Sequence, residues 1–185
     1  MAKTFIYIFS FLGATYIIPD SISKRELSEL RQVCIESYRN KNYKEAIPSL
    51  EKYLSFKNEI EFKLYLAKSI LFRKDLISPE EEDEIFLRND KKTTIQKNYN
   101  KSAKIFSEVV MYLEEVTPKD KRIADLYFLW AFAEYFGENR EKAISLFSKS
   151  TRLKPELKKM ANYNIAAIYE ELGQIKDSEI YFKKQ

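Results

Sequence analysis

Few residues in this chain have the types and the spacing that catalysis or metal binding requires. Its 185 residues include no histidine, one cysteine (Cys34) and three glycines. Without histidine there is no Ser-His-Asp or Cys-His nucleophile, no histidine proton shuttle and no histidine-ligated zinc. A single cysteine provides neither an internal disulfide nor a cysteine-cluster metal site. Three scattered glycines cannot form a dinucleotide-binding or phosphate-binding glycine loop.

The longest run of like charges is acidic and covers residues 80–84, directly after Ser78 and Pro79. Serine, then proline, then acids is typical of a helix start, because the serine caps the first turn and carboxylates favour its positive end. Five carboxylates could also hold a divalent cation, but the spacing of a calcium-binding loop is missing. We therefore expect no metal, no cofactor and no catalytic residue, and we do not expect an enzyme.

The composition favours helices joined by short connections. Three glycines and five prolines make 8 of 185 residues, whereas the two types together usually supply roughly 12 %. Charged residues at 32 % and hydrophobic residues at 45 % fit one folded domain. The net charge of +4 is spread along the chain, so it does not indicate a nucleic-acid partner, which would require a concentrated basic stripe.

A repeated pattern organises the chain after residue 20. The segments NYKEAI at residues 42–47 and NREKAI at residues 139–144 each lie between amphipathic stretches, and GQIKDSE at residues 173–179 follows one. The pattern is aligned on one small residue per unit: Ala46, Ser102, Ala143 and Ser178. The units then start at about Leu27, Glu61, Ala124 and Lys159.

These starts are 34, 63 and 35 residues apart. The long middle interval predicts an insert at residues 74–97, in the turn of the second unit. Two interpretations of its apolar residues Ile85, Phe86 and Leu87 are open. They dock on neighbouring helices, or they form a recognition element, since loops on rigid scaffolds often carry function.

This pattern resembles the tetratricopeptide repeat (TPR), a helix–turn–helix unit of 34 residues. The resemblance covers residues 27–184 apart from the insert. It implies an all-α fold, a right-handed α-solenoid of about four TPR-like hairpins that forms one domain over residues 21–185. It also assigns small residues to the first helix of each unit, where the second helix crosses closely: Cys34, Ala131 and Ala166. Large residues fill a slot on the second helix: Leu50, Phe106, Phe147 and Phe182.

Three residues depart from the repeat pattern. Lys68 occupies a position that calls for a small residue, and Glu134 occupies one that calls for an aromatic residue. Pro48 falls early in a second helix, where it should kink or delay that helix because it has no backbone N–H to donate.

In TPR proteins, the first helices line a concave side that binds peptides. For this chain the resemblance implies a face rich in aromatic residues, with some arginine. The residues that it assigns to partner binding are Arg31, Tyr38, Tyr65, Ser69, Phe72, Phe128, Phe132, Tyr135 and Tyr163. The family's chaperone-tail clamp is not expected, because Ile35 stands where asparagine is needed. Alternatively, some of these rings pack against the insert or the N-terminal segment.

Residues 1–20 have the parts of a secretory signal peptide. Lys3 is the only charge before Asp20, apolar residues dominate positions 5–12, and small residues follow at positions 13–15. We expect cleavage after Ala14 and export to the periplasm or cell envelope. An uncleaved membrane anchor and a buried N-terminal helix are alternatives, although residues 4–19 are short for a spanning helix.

Taken as a whole, the sequence predicts a non-catalytic protein–protein interaction scaffold that binds a protein or peptide. The alternative is a membrane-tethered assembly subunit of a cell-envelope complex, which would contact the membrane only through its N-terminal anchor.

Overall fold

The computed structural model of the protein describes residues 22–73 and 85–184, and throughout these residues it contains helices and no β-strand. In chain order the α-helices are α1 (Lys24–Arg39), α2 (Tyr43–Phe56), α3 (Ile60–Leu71), α4 (Ile85–Val116), α5 (Arg122–Phe136), α6 (Arg140–Leu153), α7 (Lys158–Glu171) and α8 (Ile175–Lys183). A short 3₁₀ helix, Pro155–Leu157, joins α6 to α7. The predicted signal peptide or anchor lies outside the described residues.

The helices form four consecutive hairpins: α1–α2, α3–α4, α5–α6 and α7–α8. Each hairpin also packs against the next, through α2 with α3, α4 with α5 and α6 with α7. This arrangement confirms the predicted all-α solenoid of four hairpins. None of the described helices is both long enough and apolar enough to cross a membrane.

The first helices of the hairpins lie side by side in one layer. The ring of Tyr38 on α1 stacks on the ring of Tyr65 on α3, with 4.2 Å between their centroids. Arg122 on α5 forms an ion pair with Glu61 on α3, and the atoms Nη1 and Oε2 are 3.1 Å apart. A hydrogen bond between their C-terminal turns joins α5 to α7.

The second helices form another layer. Lys101 Nζ on α4 lies 2.5 Å from Glu51 Oε1 on α2, and Lys149 Nζ on α6 lies 3.3 Å from Glu114 Oε1 on α4. Because these ion pairs join helices of different hairpins, α2, α4 and α6 are direct neighbours. The solenoid therefore has one surface built from α1, α3, α5 and α7, and another on which the second helices lie.

Small residues lie where the two helices of a hairpin cross, as predicted. No exposed surface remains on Cys34, Ala46, Ser102, Ala131, Ala143 or Ala166. The large residues one turn along the second helices are equally buried at Leu50, Phe106 and Phe147. A small residue allows close approach of the two backbones, and the large residue fills the space between hairpins. Phe182, on α8, is partly exposed instead.

The second hairpin has a register one residue different from the prediction. Ala67 is fully buried at the crossing, and the Ser102 hydroxyl on α4 donates a 2.8 Å hydrogen bond to the Ala67 carbonyl. Lys68, which the alignment placed at this crossing, is only half-buried. The apparent departure at Lys68 therefore came from a misplaced register, and the repeat itself has alanine there.

The predicted insert is largely an extension of a helix. Helix α4 begins at Ile85 and runs for 32 residues, so residues 85–97 are helical and do not belong to the turn. The extension packs on the end of α5, where the Gln96 Nε2 group donates to the Gly137 carbonyl over 3.3 Å. The predicted cap at Ser78 and the acidic run lie outside the described residues, as do the side chains of residues 85–87.

Candidate partner-binding site

The layer of first helices carries most of the residues that the sequence assigned to a partner. We use the name first-helix face for its partly exposed aromatic residues: Tyr38, Tyr65, Phe72, Phe128, Phe132 and Tyr135. All six retain some solvent exposure. They come from α1, α3 with its C-cap Phe72, and α5, three helices that neighbour one another in this layer.

A cluster of four rings covers the α1–α3 end of this face. Tyr38 and Tyr65 stack with an angle of 16° between their planes. The ring of Tyr43, the first residue of α2, lies 6.3 Å from Tyr38 and 6.3 Å from Phe72. Stacked and tilted rings of this kind fix one another's orientation. The cluster therefore presents a rigid aromatic surface, with Phe72 the most exposed ring on the first-helix face at 43 %.

The hydroxyl of Tyr38 stays protonated at neutral pH. Burial, with help from the neighbouring Tyr43, Tyr65 and Glu61, raises the pKa of Tyr38 to about 12. Desolvation disfavours the phenolate, and a nearby acid adds repulsion. Tyr38 is therefore available as a neutral hydrogen-bonding group, and it does not supply a nucleophile at physiological pH.

Arg31 stands at the same end of the array and is exposed. Its guanidinium carbon lies 5.2 Å from the centroid of the buried Phe62 ring. This distance is within the range of a cation–π contact. The contact restricts this exposed arginine, and its planar guanidinium suits recognition of a carboxylate or carbonyl group.

Phe128 and Phe132 on α5 are partly buried and pack against the core. They meet edge-to-face at 5.2 Å, and both pack edge-on against the fully buried Phe147 of α6, at 5.1 and 5.2 Å. Their inner edges therefore hold α5 on α6, and only their outer edges reach the surface. Within the described residues, these two rings therefore join α5 to α6 through Phe147.

Tyr135 is tied to the fourth hairpin. Its hydroxyl donates to Glu171 Oε1, and Arg140 Nε lies 3.2 Å from Glu171 Oε2. Burial and the adjacent Glu171 raise the pKa of Tyr135 to about 12. The polar end of this tyrosine is occupied within the protein, so the ring edge is what it can offer to a partner.

Three of the nine assigned residues are not part of the first-helix face: Arg31, described above, and Ser69 and Tyr163. Ser69 is fully buried, and within the described residues its hydroxyl has no hydrogen-bond partner. Its assignment to partner binding is corrected, because the one-residue register shift on α3 turns it inward. Tyr163 is 57 % exposed, but its ring packs at 5.9 Å against Phe182 of α8, at the last hairpin of the array.

One aromatic residue escaped the sequence assignment: Tyr43, which begins a second helix. Phe136, a first-helix position of the third unit, ends α5, with its ring 5.0 Å from Tyr99 of α4 and 5.2 Å from Tyr135. The resemblance transfers only repeat positions inside first helices to partner binding, and Tyr43 lies on a second helix. The sequence did offer one indication of Tyr43: it directly follows the short turn after Tyr38, where the ends of α1 and α2 meet.

No protein-family model matches this chain, and no curated protein matches it. Solved structures are similar at low identity. One is MamA, residues 41 to the end, from Desulfovibrio magneticus RS-1: 17 % identity and a TM-score of 0.42 over 89 % of this chain and 94 % of that chain. Another, a crystal structure of the MamA protein, has 19 % identity and a TM-score of 0.38 over 85 % of this chain and 88 % of that chain. The fold described above rests on the helices and contacts of this chain.

Proposed function

We propose that this protein is a non-catalytic scaffold that binds a protein or peptide partner through its first-helix face. The observation that carries the proposal is the cluster of rings contributed by Tyr38, Tyr43, Tyr65 and Phe72. These rings touch one another within 6.3 Å, yet Phe72 remains 43 % exposed. A contiguous, partly exposed aromatic surface of this kind is typical of an interaction site.

The arrangement suits binding energetically. A tyrosine or phenylalanine has only two side-chain torsions, and here ring contacts already restrict them. Association therefore costs little additional side-chain entropy, while covering the remaining ring surface releases water. Arg31, held over Phe62, adds a directional polar contact. We infer that a bound segment offers apolar side chains to the rings and an acceptor oxygen to Arg31.

We also propose that the protein is exported to the periplasm or cell envelope. The support is the sequence of residues 1–20, with Lys3, an apolar run and a small-residue exit. The alternative is that this segment stays as an anchor and the protein is a membrane-tethered assembly subunit. The intact mass of the exported protein separates the two, because cleavage after Ala14 leaves a chain that begins at Thr15.

The binding proposal is tested by comparing variants of the full chain in a pulldown with a matched control. Phe72→Ala and Tyr65→Ala remove rings from the cluster. The control is Tyr112→Ala on α4, because Tyr112 is 45 % exposed and belongs to a second helix. A protein counts as a partner if both the wild-type chain and the control variant retain it in the pulldown. Mass spectrometry quantifies the amount retained by each chain.

We expect the two cluster variants to weaken partner binding by about 1–3 kcal/mol each, roughly 5- to 150-fold. Their helical circular dichroism should match that of wild type. If both variants retain every partner as well as Tyr112→Ala does, the first-helix face is not the binding site. Phe132→Ala is a poorer test, because losing its contact with Phe147 disturbs the core.

A further inference from the structure

The last hairpin exposes apolar residues at a place where earlier hairpins bury them. Phe182 of α8 aligns with Phe147 of α6, and Tyr163 of α7 aligns with Phe128 of α5. Phe147 has no exposed surface, whereas Phe182 is 39 % exposed. The ring pairs themselves are alike, at 5.1 Å in the third hairpin and 5.9 Å in the fourth. The difference lies in the following helix. Helix α7 packs on α6 and covers it, whereas no further described helix packs on α8.

The exposed surface continues along one side of α8. Ile175 precedes Phe182 by seven residues, about two helical turns, so both lie on the same side of the helix. Ile175 is 53 % exposed. We use the name end surface for Tyr163, Ile175 and Phe182. Ile180 lies about 140° around α8 from Ile175 and is outside this surface, although it is 47 % exposed.

The opposite end of the solenoid is polar. Helix α1 starts with a capping box between Ser23 and Glu26. Its exposed residues include an ion pair, Arg25 Nε to Glu29 Oε1 at 2.8 Å, and a hydrogen bond from Gln32 to Glu36. Val33 is the one large apolar side chain exposed on this helix. A head-to-tail stack of two molecules would therefore bury this charged helix against the apolar end surface, which is unfavourable.

We propose that the end surface pairs with the end surface of a second copy of this chain, about a two-fold axis. This symmetry places apolar residues against apolar residues on both sides. The charged residues beside the end surface are also complementary to those of the second copy. When α8 runs antiparallel to its copy with Ile175 opposite Phe182 of the partner subunit, Glu179 comes within about one helical turn of Lys176 of the partner subunit.

Sedimentation equilibrium of the full chain tests the pairing. Wild type should pass from monomer to dimer over roughly a hundredfold range of concentration. Ile175→Glu should raise the dimer dissociation constant at least about tenfold, because it buries two unpaired carboxylates. Ile180→Glu is the matched control, with the same substitution on the same helix but outside the end surface, and it should dimerise as wild type does. Circular dichroism checks that each variant is folded.

Charge reversal tests the antiparallel arrangement. Glu179→Lys and Lys176→Glu should each weaken the dimer, and the double variant should recover most of the loss, since each pair is then restored with its signs exchanged. A wild-type protein that stays monomeric overturns the proposal. So does a dimer that Ile175→Glu leaves intact or that Ile180→Glu weakens equally. Failure of the double variant to recover overturns the two-fold pairing. None of these results depends on partner binding by Phe72 and Tyr65.

Discussion

Glu134 shows how a single residue can break a repeat pattern and still stabilise the fold. Its carboxylate is almost completely buried on α5. It accepts a 2.8 Å hydrogen bond from Trp130 Nε1 and a 2.7 Å bond from Asn139 Nδ2, and Lys142 Nζ lies 2.6 Å away. Lys142 also lies 5.1 Å from the Trp130 ring centroid. The glutamate thus ties α5 to the turn and first residues of α6.

Replacing Glu134 should therefore destabilise the protein strongly. Glu134→Ala leaves the buried Trp130 N–H without its acceptor and removes one of the two acceptors of the Asn139 amide, and we expect a loss of about 2–4 kcal/mol in the free energy of unfolding. Urea denaturation followed by circular dichroism measures it. Glu141→Ala, an exposed acid on α6, is the control and should change stability by less than about 0.5 kcal/mol. A loss from Glu134→Ala no larger than that of the control would show that the network contributes nothing.

This network was beyond prediction from the sequence, although the sequence identified its site. The repeat pattern showed Glu134 to be out of place among aromatic positions. It could not show that the carboxylate is compensated, because the compensating groups come from Trp130, Asn139 and Lys142, whose directions depend on the turn. That turn contains Glu138 in the left-handed region, at a φ of 66°. These hydrogen bonds join residues only four and five positions apart, but they follow from the geometry of the turn, and residue types alone do not reveal them.

At the scale of helices, the sequence predicted most where one side of a helix differs from the other. Small residues at a fixed spacing on α1, α5 and α7 marked the crossings correctly. The predicted register of helix α3 was wrong because this helix is apolar on nearly every side. Phe62, Leu66 and Ile70 pack toward the first hairpin, while Leu64 and Leu71 pack toward the third. With so few polar residues to fix its phase, a one-residue error in register leaves the pattern looking acceptable.

The start of α4 was missed for a different reason. Residues 85–97 carry many charged and polar side chains, which is typical of a loop and also of a helix that packs on only one side. The contact of Gln96 with Gly137 comes from a distant part of the chain, so local composition could not reveal it. The assignment of Ser69 to the binding surface was wrong because of the register error on α3, and Tyr43 was omitted because it belongs to a second helix.

Helix α2 contains an unusual element that can be tested directly. It runs without interruption from Tyr43 to Phe56 with Pro48 inside it, so of the two predicted effects, a kink or a delay, the delay does not occur. Pro48 has no N–H for the carbonyl of Lys44, and its ring crowds that carbonyl. Because Pro48 is exposed, replacing it leaves no cavity.

Pro48→Ala should therefore stabilise the protein, by about 1–3 kcal/mol, as the missing backbone hydrogen bond is restored and the better helix former takes its place. Thermal or urea denaturation measures the gain. Ser49→Ala, the neighbouring substitution, serves as the control and should change stability by less than about 0.5 kcal/mol. Unchanged or lower stability of Pro48→Ala would show that the proline does not destabilise α2.

At the scale of the whole molecule, the core divides into two clusters that share α3. The N-terminal cluster holds Cys34, Ala46, Leu50 and Tyr53 with one side of α3. The C-terminal cluster is larger and includes Phe106, Trp130 and Phe147 together with the opposite side of α3. In a solenoid each hairpin is stabilised mainly by its neighbours, so the first hairpin, which borders only the second hairpin among the described helices, should open more easily than the middle of the array.

Hydrogen exchange of two core variants tests this division. Leu50→Ala and Phe147→Ala each remove a fully buried side chain from the same repeat position, at an expected cost of about 2–5 kcal/mol. Leu50→Ala should accelerate amide exchange in α1 and α2 and leave α5 to α7 nearly unchanged, because the first hairpin can open on its own. Phe147→Ala should accelerate exchange throughout α3 to α7, since it lies in the cluster on which the other hairpins depend. If Leu50→Ala accelerates exchange equally in every helix, the two clusters unfold as one unit and α3 transmits the loss across the whole solenoid.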